Sequence, residues 1–239
     1  MVKGLFRSKV TVMMPAYNAA RYIAESIESV LRQDFPFFEL VIFDDGSTDR
    51  TYEIVRRHQK FDSRIRVHHS ETNRGVSYAR NRILKLARGK YLAPHDADDI
   101  MLNGRLKRQV RLLDRRPEIG VVFGKAMVSD GNGKSLRDRC DSDVCRLDQG
   151  EDPKKSQILH KFSLGIAHSS VMMRKSLVLR AGGYDERLKF GEDGDLFYRL
   201  WNKTRFYFLN FLCYIYRIHT SSLMSRAQRL REALNIVDH

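Results

Sequence analysis

The stretch Tyr91-Leu92-Ala93-Pro94-His95-Asp96-Ala97-Asp98-Asp99 decides the fold. Its first four residues have the length and composition of a strand buried on both faces, and that run ends abruptly in carboxylates. The same pairing recurs toward the amino terminus. Val10 to Met14 is a continuous apolar run ended by Pro15, and Leu40 to Phe43 is another, closed by Asp44-Asp45-Gly46-Ser47. Ile65 to His68 and Val121 to Phe123 read as further strands.

Helical patterns lie between these strands. Residues 20 to 33 carry Ile23, Ile27, Val30 and Leu31 at helical spacing. Further helices are predicted from about Asp49 to His58, from Val76 to Ala87 with Gly89 capping its end, and from Arg105 to Arg115, before Pro117. Strands and helices alternating at this spacing imply βαβ units and right-handed crossovers. The expected fold class is α/β: a single Rossmann-like domain whose central, mostly parallel mixed sheet is flanked by helices. Ligands bind such sheets at the carboxyl ends of the strands. Asp44-Asp45 and Asp96-Ala97-Asp98 are therefore expected on one edge.

Ser129 to Lys155 is polar and rich in charge, with Gly131, Gly133, Gly150 and Pro153, and is expected to be a long excursion between two halves. Beyond it, His168 to Met173 reads as a strand and Lys175 to Ala181 as a short helix. Glu192-Asp193 opens a helix that continues through Leu196 to Trp201. Phe206 to Tyr216 reads as a strand, and Ser225 to Ile236 as a basic helix.

The 239 residues are 42% hydrophobic, too apolar for a disordered chain. No run approaches the roughly 20 apolar residues of a membrane span, and the first residues lack a signal-peptide core. A cytoplasmic protein is expected, peripheral at most at the inner face of the membrane. Three cysteines, an odd number, are expected as free thiols rather than a disulfide scaffold. The formal net charge of +14 invites nucleic acid, an anionic bilayer or phosphate-bearing substrates as partners. Its 43 basic residues are scattered among 29 acidic ones with no nucleic-acid motif, so no nucleic-acid partner is expected.

Three groups carry chemistry. Carboxylates at Asp96 and Asp98, immediately after a strand, reach one side of a loop together, which suits a hard divalent cation bearing a diphosphate. The same residues, with Asp99, also suit a solvated turn or a helix cap. Gly191-Glu192-Asp193-Gly194-Asp195 places a carboxylate where it can remove a proton from a hydroxyl, although acids at a helix start are favoured by the macrodipole alone. His219 is a ligand, an acid–base group or a bystander.

Together these segments resemble the family 2 glycosyltransferases, inverting enzymes of the GT-A fold. VTVMMPAYNAARYIAESIESVLRQ is similar to their first strand, nucleotide loop and helix, and FELVIFDDGSTDRTYEIV to the second block. NRGVSYARNRILKLARGKYLAPHDADD is similar to the third block and GGYDERLKFGEDGDLFYRL to the acceptor-side block, with YRIHTSSL behind it. Order and spacing match over roughly residues 9 to 222, as one glycosyltransferase domain spanning 1–239, with a nucleotide-sugar half (1–125) and an acceptor half (126–239).

The resemblance implies a role for each residue. Pro15, Ala16, Tyr17 and Asn18 would line the nucleotide pocket, and Asp45 would accept from the imide nitrogen of a uracil or thymine. Asp96, with Ala97, would sit near the ribose. Asp98 would hold the cation (Mn²⁺ or Mg²⁺) bridging the diphosphate, with His219 as a further metal ligand. Arg74 and Arg80 would be basic nucleotide contacts. Asp193 would be the catalytic base and Glu192 would bind the acceptor. The implied activity is inverting transfer of one hexosyl or N-acetylhexosaminyl unit from a nucleoside-diphosphate sugar to a glycan or lipid-linked acceptor. A Gln-x-x-Arg-Trp motif with membrane helices, found in processive relatives, is missing: Trp201, the only tryptophan, is followed by Asn202-Lys203.

Rival readings make separate predictions. A dinucleotide-binding enzyme requires Gly-x-Gly-x-x-Gly after the first strand, and Pro15-Ala16-Tyr17-Asn18-Ala19 contains no glycine. The intact Asp98 and Asp193 speak against a non-catalytic nucleotide-sugar or polyanion binder. A nucleic-acid binder would lose affinity steeply with salt and ignore manganese.

Overall fold

The computed structural model describes residues 8–130, 135–139 and 166–220. Strand β1 (Val10–Ala16) is followed by α1 (Ile23–Leu31), β2 (Phe38–Asp45), α2 (Thr51–Phe61), β3 (Ile65–Ser70), α3 (Val76–Leu86) and β4 (Tyr91–Pro94). Then come the short β5 (Ile100–Met101), α4 (Arg105–Arg115), the long β6 (Ile119–Asp130) and β7 (Ser135–Arg139). A 3₁₀ turn at His168–Ser170 leads to β8 (Met172–Arg174), α5 (Lys175–Arg180), α6 (Glu192–Trp201) and β9 (Arg205–Ile218).

The strands join in one sheet in the order β3-β2-β1-β4-β8-β6-β9-β5, with β7 paired to β6. The amino-terminal part, β3-β2-β1-β4, is parallel, as the βαβ reading predicts. The sheet becomes mixed beyond it: β8 runs antiparallel to β4 and β6, while β6 and β9 pair in parallel along nearly their whole lengths.

Strand alternation builds the core on both faces. Val10, Val12 and Met14 of β1 point to the layer formed by α1, α2 and α4, where Ile27, Val55 and Val110 are buried. Met13 points the other way, with Val41, into the layer of α3, α5 and α6, among Ile83, Val178 and Phe197. Near-continuous apolar runs are what a sheet covered on both sides needs.

Several sequence expectations are corrected. His168 to Met173 is a 3₁₀ turn and then a short strand, because Ser170 N–H bonds back to Ala167 O (2.8 Å) before pairing begins. Gly89 does not cap α3; the helix ends at Leu86 with Ala87 extended. A Cβ on Gly89 would lie 2.4 Å from the Thr11 nitrogen, so glycine is needed for close approach to β1. The expected excursion at Ser129 begins instead as a continuation of β6 that pairs antiparallel with β7. The rest of that excursion and the predicted basic helix at Ser225 to Ile236 lie outside the described residues.

Candidate active site

The carboxyl ends of β1, β2 and β4 lie side by side, with Ala16 in register with Asp44 and Met13 with Pro94. After β1, the segment Tyr17 to Ala20 is pinned to the loop after β2. Asn18 takes a left-handed conformation (φ 49°), which asparagine tolerates better than most residues. Its N–H donates to Ser47 Oγ (2.9 Å), and its Oδ1 accepts from Thr48 N–H (2.8 Å). Ala19 N–H donates to Thr51 Oγ1 and Ala20 N–H to Asp49 Oδ2. Tyr17 is left exposed.

Gly46, at φ 73°, lets the segment after β3 pack onto this loop; a Cβ there would meet Thr72 C at 2.6 Å. That approach brings two backbone N–H groups to Asp45: Oδ2 accepts from Arg74 (2.9 Å) and Gly75 (2.7 Å). Oδ1 of Asp45 is buried and has no partner among the described residues. Burial raises the Asp45 pKa, and the two N–H donors only partly offset it. A buried acceptor without a donor is costly unless a ligand N–H completes it. Asp44 is turned away, bonded to Ser47 and to His69 Nδ1 (2.8 Å). Arg74 is exposed, with its guanidinium carbon 3.9 Å from the Tyr78 ring centroid.

Arg80, expected as a nucleotide contact, sits at the centre of a buried cluster. One Nη donates to Asp96 Oδ1 (2.9 Å) and the other to Glu192 Oε1. Burial by itself would lower the Arg80 pKa, but Asp96 and Glu192 raise it on balance. Burial pushes the Glu192 carboxyl up, and Arg80 opposes this. One arginine thus ties the acidic loop after β4 to the first residue of α6. Asp193, the next residue, is partly exposed, and its Oδ1 accepts the Gly194 N–H (2.8 Å).

Asp98 and His219 are brought together: His219 Nε2 lies 2.9 Å from Asp98 Oδ2. The His219 ring also packs on Tyr22, with centroids 4.5 Å apart. Ala97 between the two acids is buried. Asp99 caps no helix. It is buried, its Oδ1 accepts the Arg217 N–H (3.1 Å), and burial with the charges of Asp98 and Asp96 raises its pKa well above the usual range.

Two supporting residues gave no signal in the sequence. Ser169, in the 3₁₀ turn, accepts from Asp96 N–H (3.2 Å) and donates to Asp96 Oδ2 (3.3 Å). Arg105 opens the basic helix α4 and reads as a surface cation, yet it is wholly buried. Its Nη2 donates to Pro94 O and Val171 O, both at 3.0 Å, and burial lowers its pKa to about 10. It fastens the end of β4 to the chain just after the turn that carries Ser169.

With this geometry in place, comparison with known proteins is decisive. Residues 11–179 match Glycosyl transferase family 2. The chain belongs to that family. An uncharacterized glycosyltransferase of Methanocaldococcus jannaschii is 32% identical over 203 residues, which cover 83% of this chain and 67% of the relative. TuaG of Bacillus subtilis, named for teichuronic acid biosynthesis, is 41% identical over 123 residues, 51% of this chain and 49% of TuaG. The fragment 1–349 of S. aureus TarS in complex with UDP-GlcNAc superposes with a TM-score of 0.75 at 26% identity, covering 91% of this chain and 60% of the fragment. The chain therefore spans about half of TuaG and three fifths of the TarS fragment. The fold is the GT-A fold expected of the family. Among the described residues no helix is long and apolar enough to cross a membrane.

Proposed function

We propose that this family 2 glycosyltransferase moves one sugar from a uridine-diphosphate sugar to a hydroxyl of a glycan or lipid-linked acceptor, with inversion, in polysaccharide biosynthesis. The observation that carries the reading is the Asp96–Arg80–Glu192 bridge, because it joins the donor-side loop to the helix bearing Asp193. Asp45 supports a uracil base: two backbone N–H groups fix the carboxylate, and the remaining oxygen awaits a ring N–H. Asp96 faces the ribose and is held by Arg80 and Ser169. Arg80 acts here as a positioning residue, and the exposed Arg74 remains the basic contact for the donor. Pro15, Ala16, Tyr17, Asn18 and Ala97 form the walls of the donor pocket.

Asp98 and His219 fit a divalent cation such as Mn²⁺ or Mg²⁺, because a carboxylate oxygen and an imidazole nitrogen already converge there. Among the described residues no cluster of three or more such side chains exists, so the diphosphate and solvent would complete the coordination. When bound, the cation would offset the charge that develops on the departing diphosphate.

Asp193 takes the proton from the attacking hydroxyl on the face opposite the leaving group, a contribution of about 10² to 10⁴ in rate. A single base with direct displacement gives inversion, by the logic that separates the two classes of glycosidase. Glu192, held by Arg80, orients the acceptor. The TuaG likeness supports a place in polysaccharide assembly, and the basic surface supports a peripheral position at the inner face of the membrane.

Thermal unfolding with UDP-sugars and Mn²⁺ tests the donor site. We expect a rise in melting temperature that Asp98→Ala removes, and that Asp193→Asn keeps while losing transfer. No stabilisation of the wild type by any nucleotide sugar would overturn the donor site, and unchanged transfer in Asp193→Asn would remove that residue as base.

A further inference from the structure

The edge of the sheet opposite the candidate active site carries a cavity of about 710 Å³. It opens where β1 and β4 begin and the antiparallel β8 ends, with Tyr91 in register with Arg174. Five cations line it, namely Lys9, Arg88, Lys90, Arg174 and Lys175, and among the described residues no carboxylate does. The hydroxyls of Ser8 and Ser176 are further donors, and the half-exposed Phe37 and Leu179 form an apolar part of the wall.

Three of the cations are committed elsewhere. Lys9 pairs with Asp114 (2.6 Å), Arg174 donates to the carbonyls of Leu113, Arg116 and Ile119, and Lys175 donates to Ala87 O. Arg88 and Lys90 are exposed and their side chains form no ion pair among the described residues, although the charge of Lys90 helps to lower the Asp114 pKa. A neighbouring cavity of about 450 Å³ shares Ser8, Phe37 and Arg88, but there Arg64 pairs with Asp62 and Arg66 with Glu39. Of the two cavities, the first has charged lining residues that are all cations, and like charges held together in a concave wall focus potential on an incoming anion.

We propose that this cavity is a second binding site, for a phosphate or diphosphate group, independent of the donor site. The length of β1 separates the two by about 20 Å at roughly 3.3 Å per residue. Arg88 supplies a planar fork suited to two phosphate oxygens, and Lys90 and the serine hydroxyls supply point donors. The group belongs either to a soluble phosphorylated ligand or to the headgroup of an anionic lipid whose acyl region would meet Phe37 and Leu179.

The test titrates the full chain with inorganic pyrophosphate by calorimetry, in EDTA to silence metal-assisted binding at the donor site. Arg88→Glu/Lys90→Glu should weaken binding about tenfold or more, the neutral Arg88→Gln/Lys90→Gln should weaken it less, and Asp98→Ala should leave it unchanged. Both pocket variants change exposed side chains, and unaltered urea unfolding would establish that they fold. Equal pyrophosphate affinity in the wild type and the charge-reversed variant, no binding by the wild type, or loss of binding in Asp98→Ala alone would each overturn the proposal. Co-sedimentation with phosphatidylglycerol-containing vesicles then identifies the source. Vesicle binding that is lost in the charge-reversed variant supports a lipid headgroup, and pyrophosphate binding without vesicle binding supports a soluble ligand.

Discussion

Arg80 is the residue on which the candidate site turns, and its environment sets what its loss would do. Replacing it with glutamine leaves Glu192 buried beside Asp96 with no counter-charge. Breaking a buried pair in this way typically costs about 3 to 5 kcal/mol. The low end is expected here, because Asp96 is a third exposed and Glu192 can take up a proton. Urea unfolding of Arg80→Gln should register that loss, with Arg80→Lys intermediate, since an ammonium restores charge without the fork. A change below about 0.5 kcal/mol would mean that the bridge does not hold the loop to α6. The acids of the site were legible because each directly follows an apolar strand or opens a helix: Asp45, Asp96, Asp98 and Asp193 all stand at such boundaries. Their supports were not. Ser169 is a small polar residue in a mostly apolar run, and nothing local marks the carboxylate 73 positions away that it touches. Arg80 was expected as a donor contact and its buried bridge was not legible, because a charge in a helix says nothing of how deeply that face is buried.

At the scale of elements, local patterning located β1, β2 and β4 well, since each is short, largely apolar and ends in or beside a proline or acids, whereas the edge strand β3 (IRVHHS) is half polar and less marked. The second half of the sheet was harder to read. Strand β6 runs to Asp130, whereas the apolar run breaks at Gly124-Lys125. Those residues mark a register shift where β9 crowds in, and a Cβ on Gly124 would lie 2.2 Å from Cys213 Sγ. Pairing between residues 85 to 88 positions apart is a tertiary decision that no local window contains. The same crowding makes a prediction at Gly89, between α3 and β4. Its backbone angle is not the issue; its N–H donates to Thr11 Oγ1 (2.9 Å), and the space a methyl would need is filled by β1 backbone. Overpacking usually costs about 1 to 3 kcal/mol, and a backbone neighbour in a central strand places Gly89→Ala at the upper end. Chemical denaturation should show this loss. A variant as stable as the wild type would mean that β1 and β4 yield more readily than their parallel pairing suggests.

At the scale of the whole molecule, the sheet separates two kinds of electrostatic surface. The carboxyl edge holds the acids of the candidate site, and the amino edge holds the cavity whose charged lining residues, among those described, are all cations. A net charge of +14 therefore has a spatial pattern that composition could not reveal. Burial also makes stability depend on pH in a way that can be resolved residue by residue. His95 and His168 are fully enclosed, and burial, with Arg105 beside His95 and Arg80 near His168, lowers both pKa values well below 6.5. A base whose pKa is depressed by folding takes a proton in the unfolded chain that the native state refuses. Its stabilising contribution is complete above about pH 6.5 and is lost as pH falls below it, by about 1.4 kcal/mol per pH unit for each histidine. Asp45, Asp99 and Glu192, whose pKa values are raised, act in the opposite sense as pH falls, so total stability mixes the two. A single substitution separates them. His168→Gln removes one of these refused protons, and the amide offers Tyr184 a partner for the bond that His168 Nε2 makes at 3.0 Å. Urea unfolding at pH 7.5, 6.5 and 5.5 should then give the variant a shallower acid limb than the wild type, converging with it by about one proton's worth of slope below pH 6.5. The carboxylates are common to both chains and cancel in the difference. Parallel pH profiles for the two proteins would mean that His168 is protonated in the folded state and that the layer between α6 and the sheet admits charge.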